Sequence, residues 1–432
     1  MPSTEDRLRW IISALSDPNT VTIEELDEAY DPTEWRGWSP QRELEFFRTG
    51  RHSDSRPFTI ETLTSVSESE ANAVLLGADG KRWTVTCWTE DAERRRITGG
   101  RTMPAPPEGT TIRLAEPEDG PMLGALERRA PLRLGRDPLT LMSFDHGDDY
   151  FAPSRLMDEV TIYVAEVDGS VAGVYCGAVQ PVLLDGEPKR LFLEHHVRID
   201  PATARAGVFW ALCNYGRDTY GRSTDSIAFY VSVDNHPVRK FVEGVPPWPI
   251  RPVRALLPCV GDEVASFHGP PTDDGQRSAA VEILNRCHAG SALFVPYTEA
   301  SLDTRLARDP EQYGWRDLRV VDRAAVIGIG RQLLTVTKER EGDKVVTRRA
   351  LALDHGFAPG HEHEYRALLV DTTRALAAHG ATHLAVFTSA TSATYGVVAD
   401  LADEIEEFDF WAFDVPAPDD LQRGFYVDPV YF

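Results

Sequence analysis

The chain has 432 residues, 42% of them apolar, and a formal net charge of −23 at pH 7. At roughly 150 residues per domain, that length predicts two to three domains, each apolar enough to bury a core. The acidic excess excludes nucleic acid or an anionic membrane as the main partner. It suits a cationic small molecule such as an amine, although an acidic enzyme of any specificity would carry it too. The longest apolar runs, 160–167 and 171–184, are broken by Glu166, Gly173, Gly177 and Gln180 and do not read as membrane spans. The opening, Met1 to Asp6, lacks the basic-then-apolar order of a signal peptide. Cys87, Cys176, Cys213, Cys259 and Cys287 are odd in number, scattered and without a Cys-x-x-Cys pair. A cytoplasmic protein with reduced thiols, and without structural zinc, is expected.

Residues 1–103 predict a small α+β domain. Leu8, Ile11, Ile12 and Leu15 recur near helical spacing, and Thr22 followed by Glu25 is a capping box that starts a second helix. Segments 58–66, 71–76 and 81–88 alternate as strands, the last two joined by a turn at Asp79-Gly80. Helices followed by strands in this order resemble the cone-like ketosteroid-isomerase (SnoaL-like) fold. No acid–base pair stands out here, and Trp35, Trp38, Trp83 and Trp88 read as core and interface aromatics. The Pro-rich stretch 103–109 is a stiff linker.

Beyond the linker, a strand at 111–115 precedes a helix from Pro117 to Arg129, and Leu139 to His146 is expected to form a further short helix. Residues 160–167 and 171–179 predict a hairpin turning at Asp168-Gly169. A strand to Asp200-Pro201 then passes through Gly207 into the helix 208–220, an apolar strand at 226–235 and a helix from His236. A strand entering a helix through a Gly-bearing turn gathers free backbone N–H groups, which favours an anion such as a pyrophosphate.

That order, over roughly 110–258, resembles the GNAT superfamily of N-acetyltransferases, through Asp200-Pro201, Gly207-Val208-Phe209 and Asn235. The resemblance implies an acyl-CoA co-substrate, usually acetyl-CoA, held by the strand end Val197-Arg198-Ile199 and the turn Arg205-Ala206-Gly207-Val208. Asn235 would support the pantetheine. The departures are Ala204, where an Arg or Gln is usual, and Val242, where the family often places its acidic Tyr.

On the strand before the turn, Phe192, Glu194 and His196 are expected on one face and Leu193, His195 and Val197 on the other. A carboxylate and an imidazole on a buried strand are costly unless bonded or functional, and attack by an amine needs a proton acceptor. Glu194 is the first candidate base and His196 the second, with His195 satisfied in the core. Equally, these groups could simply pair with Arg198 or a neighbouring domain. In the loop 144–151, Asp145, His146, Asp149 and Tyr150 could hold a cationic or aromatic acceptor, although such a loop is also often merely solvated.

After the turn-rich stretch 255–275, residues 276–432 predict the same order of elements without the motif residues, with strands also at 293–295 and 424–427 and the segment 345–354 standing where the Glu194 strand stood. His361 and His363 diverge on a helix start and do not suggest a metal. The expected fold class is thus α+β and α/β: a cone-like domain (1–103) and two GNAT-like mixed-sheet domains (110–258 and 276–432). The expected function is acyl transfer, most simply of acetyl, from acyl-CoA to a small-molecule amine in a ternary complex. No nucleic acid, membrane or metal is expected, and a homo-oligomer is compatible with the pattern. Two alternatives stay open: other acyl-thioester chemistry, such as decarboxylation or elimination, and a non-catalytic binding protein.

Overall fold

A computed structural model describes the chain except for residues 1, 32–38, 91–94, 204–206, 221–222, 243–246, 262–273, 414, 419–420, 422–423 and 432. The chain divides into two compact units, Met1–Thr111 with Ala202–Ala211, and Ile112–Pro201 with Leu212–Phe432.

The first unit contains helices α1 (Thr4–Ser16), α2 (Ile23–Ala29) and α3 (Pro40–Thr49), then strands β1 (Phe58–Ser65), β2 (Glu70–Gly77), β3 (Arg82–Thr89) and β4 (Ile97–Pro104). Ser3 with Asp6 and Thr22 with Glu25 form reciprocal capping boxes on α1 and α2, and Ser39 caps α3. The strands form an antiparallel meander in chain order. Leu8, Ile11 and Leu15 of α1 meet Leu75, Val85 and Cys87 of the sheet in its core. Trp83 is buried there, and Trp35 and Trp38 lie outside the described residues. The last strand, β4, takes up the start of the stretch expected to be linker.

The second unit opens on β5 (Thr110–Leu114) and α4 (Gly120–Arg129), followed by β6 (Leu132–Leu134), β7 (Thr140–Asp145), β8 (Thr161–Val167), β9 (Ser170–Leu184) and β10 (Glu187–Ile199). Then come α5 (Val208–Tyr220, its residues from Leu212 in this unit), β11 (Ser226–Ser232), α6 (His236–Phe241), β12 (Pro252–Pro258), α7 (Asp274–Cys287) and α8 (Glu299–Leu306). The remainder is β13 (Leu318–Val321), β14 (Ala325–Ile329), β15 (Leu334–Arg340), β16 (Asp343–Phe357), α9 (Glu362–Ala378), β17 (His383–Ser389), α10 (Tyr395–Leu401) and β18 (Glu404–Ala412). Two-residue turns with both residues left-handed join the hairpins β8–β9 at Asp168-Gly169, β9–β10 at Asp185-Gly186 and β15–β16 at Glu341-Gly342. That backbone matches the strand twist and favours Gly at the second position.

One 14-stranded mixed sheet results, ordered β5-β8-β9-β10-β11-β18-β12-β17-β16-β15-β7-β6, with β13 and β14 branching from β16. The α+β and α/β expectation holds. The order has an internal echo. Strand β10 runs parallel to β11 over only three residues, Leu191–Leu193 against Ser226–Ala228. Strand β16 does the same with β17, Arg349–Leu351 against His383–Ala385. Between these forks, β18 pairs with β11 and β12 pairs with β17, while β12 and β18 pair with each other. One apolar core therefore draws Leu191 and Leu193 together with Ile283, Leu302, Phe410 and Phe425.

Two expectations fail. Leu139 to His146 is strand β7 rather than a helix, with Met142 and Phe144 buried on alternate positions and the distant β15 as its partner. Leu293 to Val295 and Gly424 to Val427 make only an isolated bridge, Ala292 to Phe425, rather than strands.

Candidate functional site

The sheet opens along β10. Its ladder with β9 runs from Glu187–Leu184 to His195–Cys176, slips, and resumes at Arg198–Val174. His196 sits in the slip with φ +48°, a left-handed backbone that costs a non-glycine residue about 1–2 kcal/mol. On the other edge, the ladder with β11 ends at Leu193–Ala228, while β10 continues to Ile199. The fork thus leaves the strand edge from Glu194 onward without a ladder partner in β11. Two glycines let aromatic rings nest behind it. A Cβ on Gly177 would lie 2.1 Å from the Phe192 ring, and one on Gly216 of α5 would lie 2.5 Å from Tyr175.

Glu194 is half-buried, and its Oε1 accepts a hydrogen bond of 2.8 Å from the Tyr175 hydroxyl. Tyr175 is itself fully buried and packed on Phe192, so the carboxylate is held from behind. Phe192 and Glu194 share a face as the alternation requires. His196 does not continue that face, because the bulge resets the alternation and brings its Nδ1 within 2.8 Å of the His195 Nδ1. Burial holds His195 down at about 4. It lowers His196 further, helped by His195, His146, Arg198 and Arg254 around it. Burial thus favours the neutral form of both rings. His195 is not satisfied as expected: its buried Nε2 has no hydrogen-bond partner.

Arg198 turns inward. Its Nη1 donates to the Val197 carbonyl at 2.8 Å, its guanidinium lies 5.4 Å from the centre of the Phe144 ring, and Nη2 is 4.0 Å from Glu127. Val197 and Ile199 are half-buried on the strand. Arg205 and Ala206 lie outside the described residues. Within the first unit, Gly207 has φ +77° and faces the backbone of Pro104 and Ala105 so closely that a Cβ would lie 2.4 Å from the Ala105 carbonyl. Val208 is buried at the start of α5. In the second unit, Asn235 is the N-cap of α6, accepting from the Val238 N–H at 3.4 Å. Val242 packs against Phe229, Val231 and Trp411, so no proton donor stands at that position.

The loop after β7 divides its residues. Asp145 pairs with Arg128 at 3.3 Å, and Asp149 pairs with Arg155, whose hydrogen bond and then charge lower the carboxyl below its ordinary range. His146 and Tyr150 are buried instead, and burial raises the Tyr150 phenol. The Gln332 side-chain amide donates to the His146 and Asp149 carbonyls at 2.5 and 2.9 Å and fixes the loop. His146 thereby reaches Glu127 of α4, Nε2 to Oε2 3.1 Å, and lies ring to ring with His196 at 5.4 Å. Sequence reasoning passed over Glu127 and Tyr175. The signal for Glu127 was its place on the apolar stripe Leu123-Leu126-Ala130 of α4, where a carboxylate has no solvation.

The fork at β16 is built from other residues. Beyond its last parallel pair, Asp354 accepts from Tyr297 (3.0 Å), Tyr313 (2.8 Å) and Arg305 (3.1 Å), and Arg305 also grips Asp428. His355 donates from Nε2 to the Phe387 carbonyl on β17 at 2.9 Å and accepts at Nδ1 from Tyr365 at 2.8 Å.

No protein-family model and no curated protein matches this sequence. Among solved structures, N-myristoyltransferase of Saccharomyces cerevisiae with bound myristoyl-CoA is similar over 78% of this chain and 92% of that one, at 8% identity and a TM-score of 0.51. The fold is N-myristoyltransferase-like. Two bacterial and archaeal structures score lower. A GCN5-related N-acetyltransferase from Sphaerobacter thermophilus covers 73% of this chain and 99% of its own, at 13% identity and a TM-score of 0.43. A putative acetyltransferase from Pyrococcus horikoshii covers 74% and 96%, at 11% identity and 0.41. The fold assignment rests on the first alone.

Proposed function

We propose that this protein is a cytoplasmic acyl-CoA-dependent N-acyltransferase that moves an acetyl group to the amine of a small molecule. Residues 110–258 form its acyl-CoA-binding half, 276–432 a second copy without the motif, and 1–103 a SnoaL-like accessory domain. The observation that carries the reading is the fork between β10 and β11, with Glu194 as the first residue beyond it and Tyr175 behind its carboxylate. An open strand edge is what the amides of a pantetheine arm pair with. The turn Arg205-Ala206-Gly207-Val208 and the strand end Val197-Arg198-Ile199 are the proposed cofactor residues, with Asn235 beyond them. Asp145, His146, Asp149 and Tyr150 are the proposed acceptor residues.

In the reaction, the acceptor ammonium loses a proton to Glu194, or to His196 as second candidate. The free amine then attacks the thioester carbonyl carbon, the carbon–sulfur bond breaks, and the departing CoA thiolate takes the remaining extra proton from the nitrogen, leaving the amide and free CoA thiol. Calorimetry with acetyl-CoA, followed by an assay of thiol release against a panel of polyamines and aromatic amines, tests this. Heat on binding and amine-dependent thiol release are expected; neither appearing at millimolar acetyl-CoA sinks the reading. Because the fold is similar to a protein solved with myristoyl-CoA, the same assay run over acyl chains of increasing length decides between acetyl and a longer group.

A further inference from the structure

Glu127 is wholly buried, and neither of its carboxylate oxygens accepts a hydrogen bond. His146 lies against it, buried, with its Nδ1 also unpartnered. Together with His196, these residues offer one donor atom each, all within 4.8 Å of one another. They come from three elements that pack together: α4, the loop after β7 and the bulge of β10. A desolvated carboxylate without N–H donors is costly to bury. Arg198 meets part of that cost, but at 4.0 Å it does not bond the carboxylate.

We propose that Glu127, His146 and His196 bind a divalent transition-metal ion, zinc first among them. Two imidazoles and one carboxylate form a ligand set that zinc and its neighbours accept, with a fourth position left for water. His195 stands behind His196, Nδ1 to Nδ1, in the place of the outer partner that orients a ligating histidine. The other cation facing His196, Arg254, is already held by Glu406 across the β12–β18 ladder. The ion would pin the bulge to α4, and with a metal on His196 only Glu194 is left to act as base. This assignment does not depend on acyl transfer.

The test is metal content. The full-length protein, stripped with chelator and dialysed against zinc or cobalt and then metal-free buffer, should retain about one ion per chain. The cobalt form should show the intense visible bands of a low-coordinate site, and zinc should raise the melting temperature. Glu127→Gln and His196→Asn, the latter chosen because Asn tolerates the left-handed backbone, should lose the ion and the zinc-dependent rise. His361→Ala, at a half-buried histidine on the Glu364 side of α9, should keep both. Wild-type protein that retains no ion overturns the proposal without touching the transferase reading. So does a folded Glu127→Gln variant that binds zinc like wild type, or loss of binding in His361→Ala alone.

Discussion

The forks at β10–β11 and β16–β17 have the same backbone plan and opposite chemistry. Each strand runs parallel to its neighbour for three residues and then leaves it. Past the second fork, the polar groups satisfy one another: Asp354 takes two phenols and a guanidinium, and His355 spans the gap to the Phe387 carbonyl. Past the first, Glu194 has Tyr175 behind it, His195 keeps an unpartnered Nε2, and Glu127 nearby has no hydrogen bond. A fork stitched by its own side chains stabilises a core. One that leaves polar atoms unpaired bears their desolvation cost, which a bound ligand would relieve.

Breaking the stitched fork should have the largest effect. Arg305→Ala leaves Asp354 and Asp428 buried together without a cation and should cost about 3–5 kcal/mol, read as a fall in the urea midpoint. Acid should do nearly as much. His288 and His355 are buried with pKa values near 4, against 6.5 when unfolded. Between those values the unfolded chain binds the extra protons, so stability is full above pH 6.5 and is lost as the pH falls toward 4. The loss should reach about 3 kcal/mol for each ring. Urea titrations at pH 7 and pH 5 measure it, and a midpoint that does not move removes the claim.

At the open fork the effects should fall on rate rather than stability. Glu194→Gln should slow acyl transfer roughly 100-fold or more while leaving acetyl-CoA binding and the melting temperature near wild type. Unchanged turnover would move the base elsewhere. Tyr175→Phe removes the phenol hydrogen bond to that carboxylate and should cost about 1 kcal/mol, seen as a smaller drop in kcat than for Glu194→Gln.

Much of this was legible in the chain. The capping box at Thr22, the Asp168-Gly169 turn and the order of strands and helices from Thr161 to Phe241 are local signals, and the structure places them where the spacing does. Glu194 was legible as a charge on a strand. What could not be read was whatever depends on a distant partner. The segment 139–146 becomes a strand between its neighbour β6 and the distant β15. The face of His196 turns on a register slip against β9 that no periodicity announces. The Glu127–His146–His196 cluster gathers residues from three separate elements, which no spacing of neighbours in sequence announces.

The exchange of β12 and β18 bears on how the chain is made. The free edge of β11 is covered only by a strand near the C-terminus, Ala228 meeting Ala412. Until the ribosome has released that strand, the earlier half carries an apolar edge with no mate, open to self-association. Cutting the chain after residue 275 should therefore yield aggregate instead of a working half-enzyme. Co-expressing the missing 276–432 segment is the rescue the topology predicts.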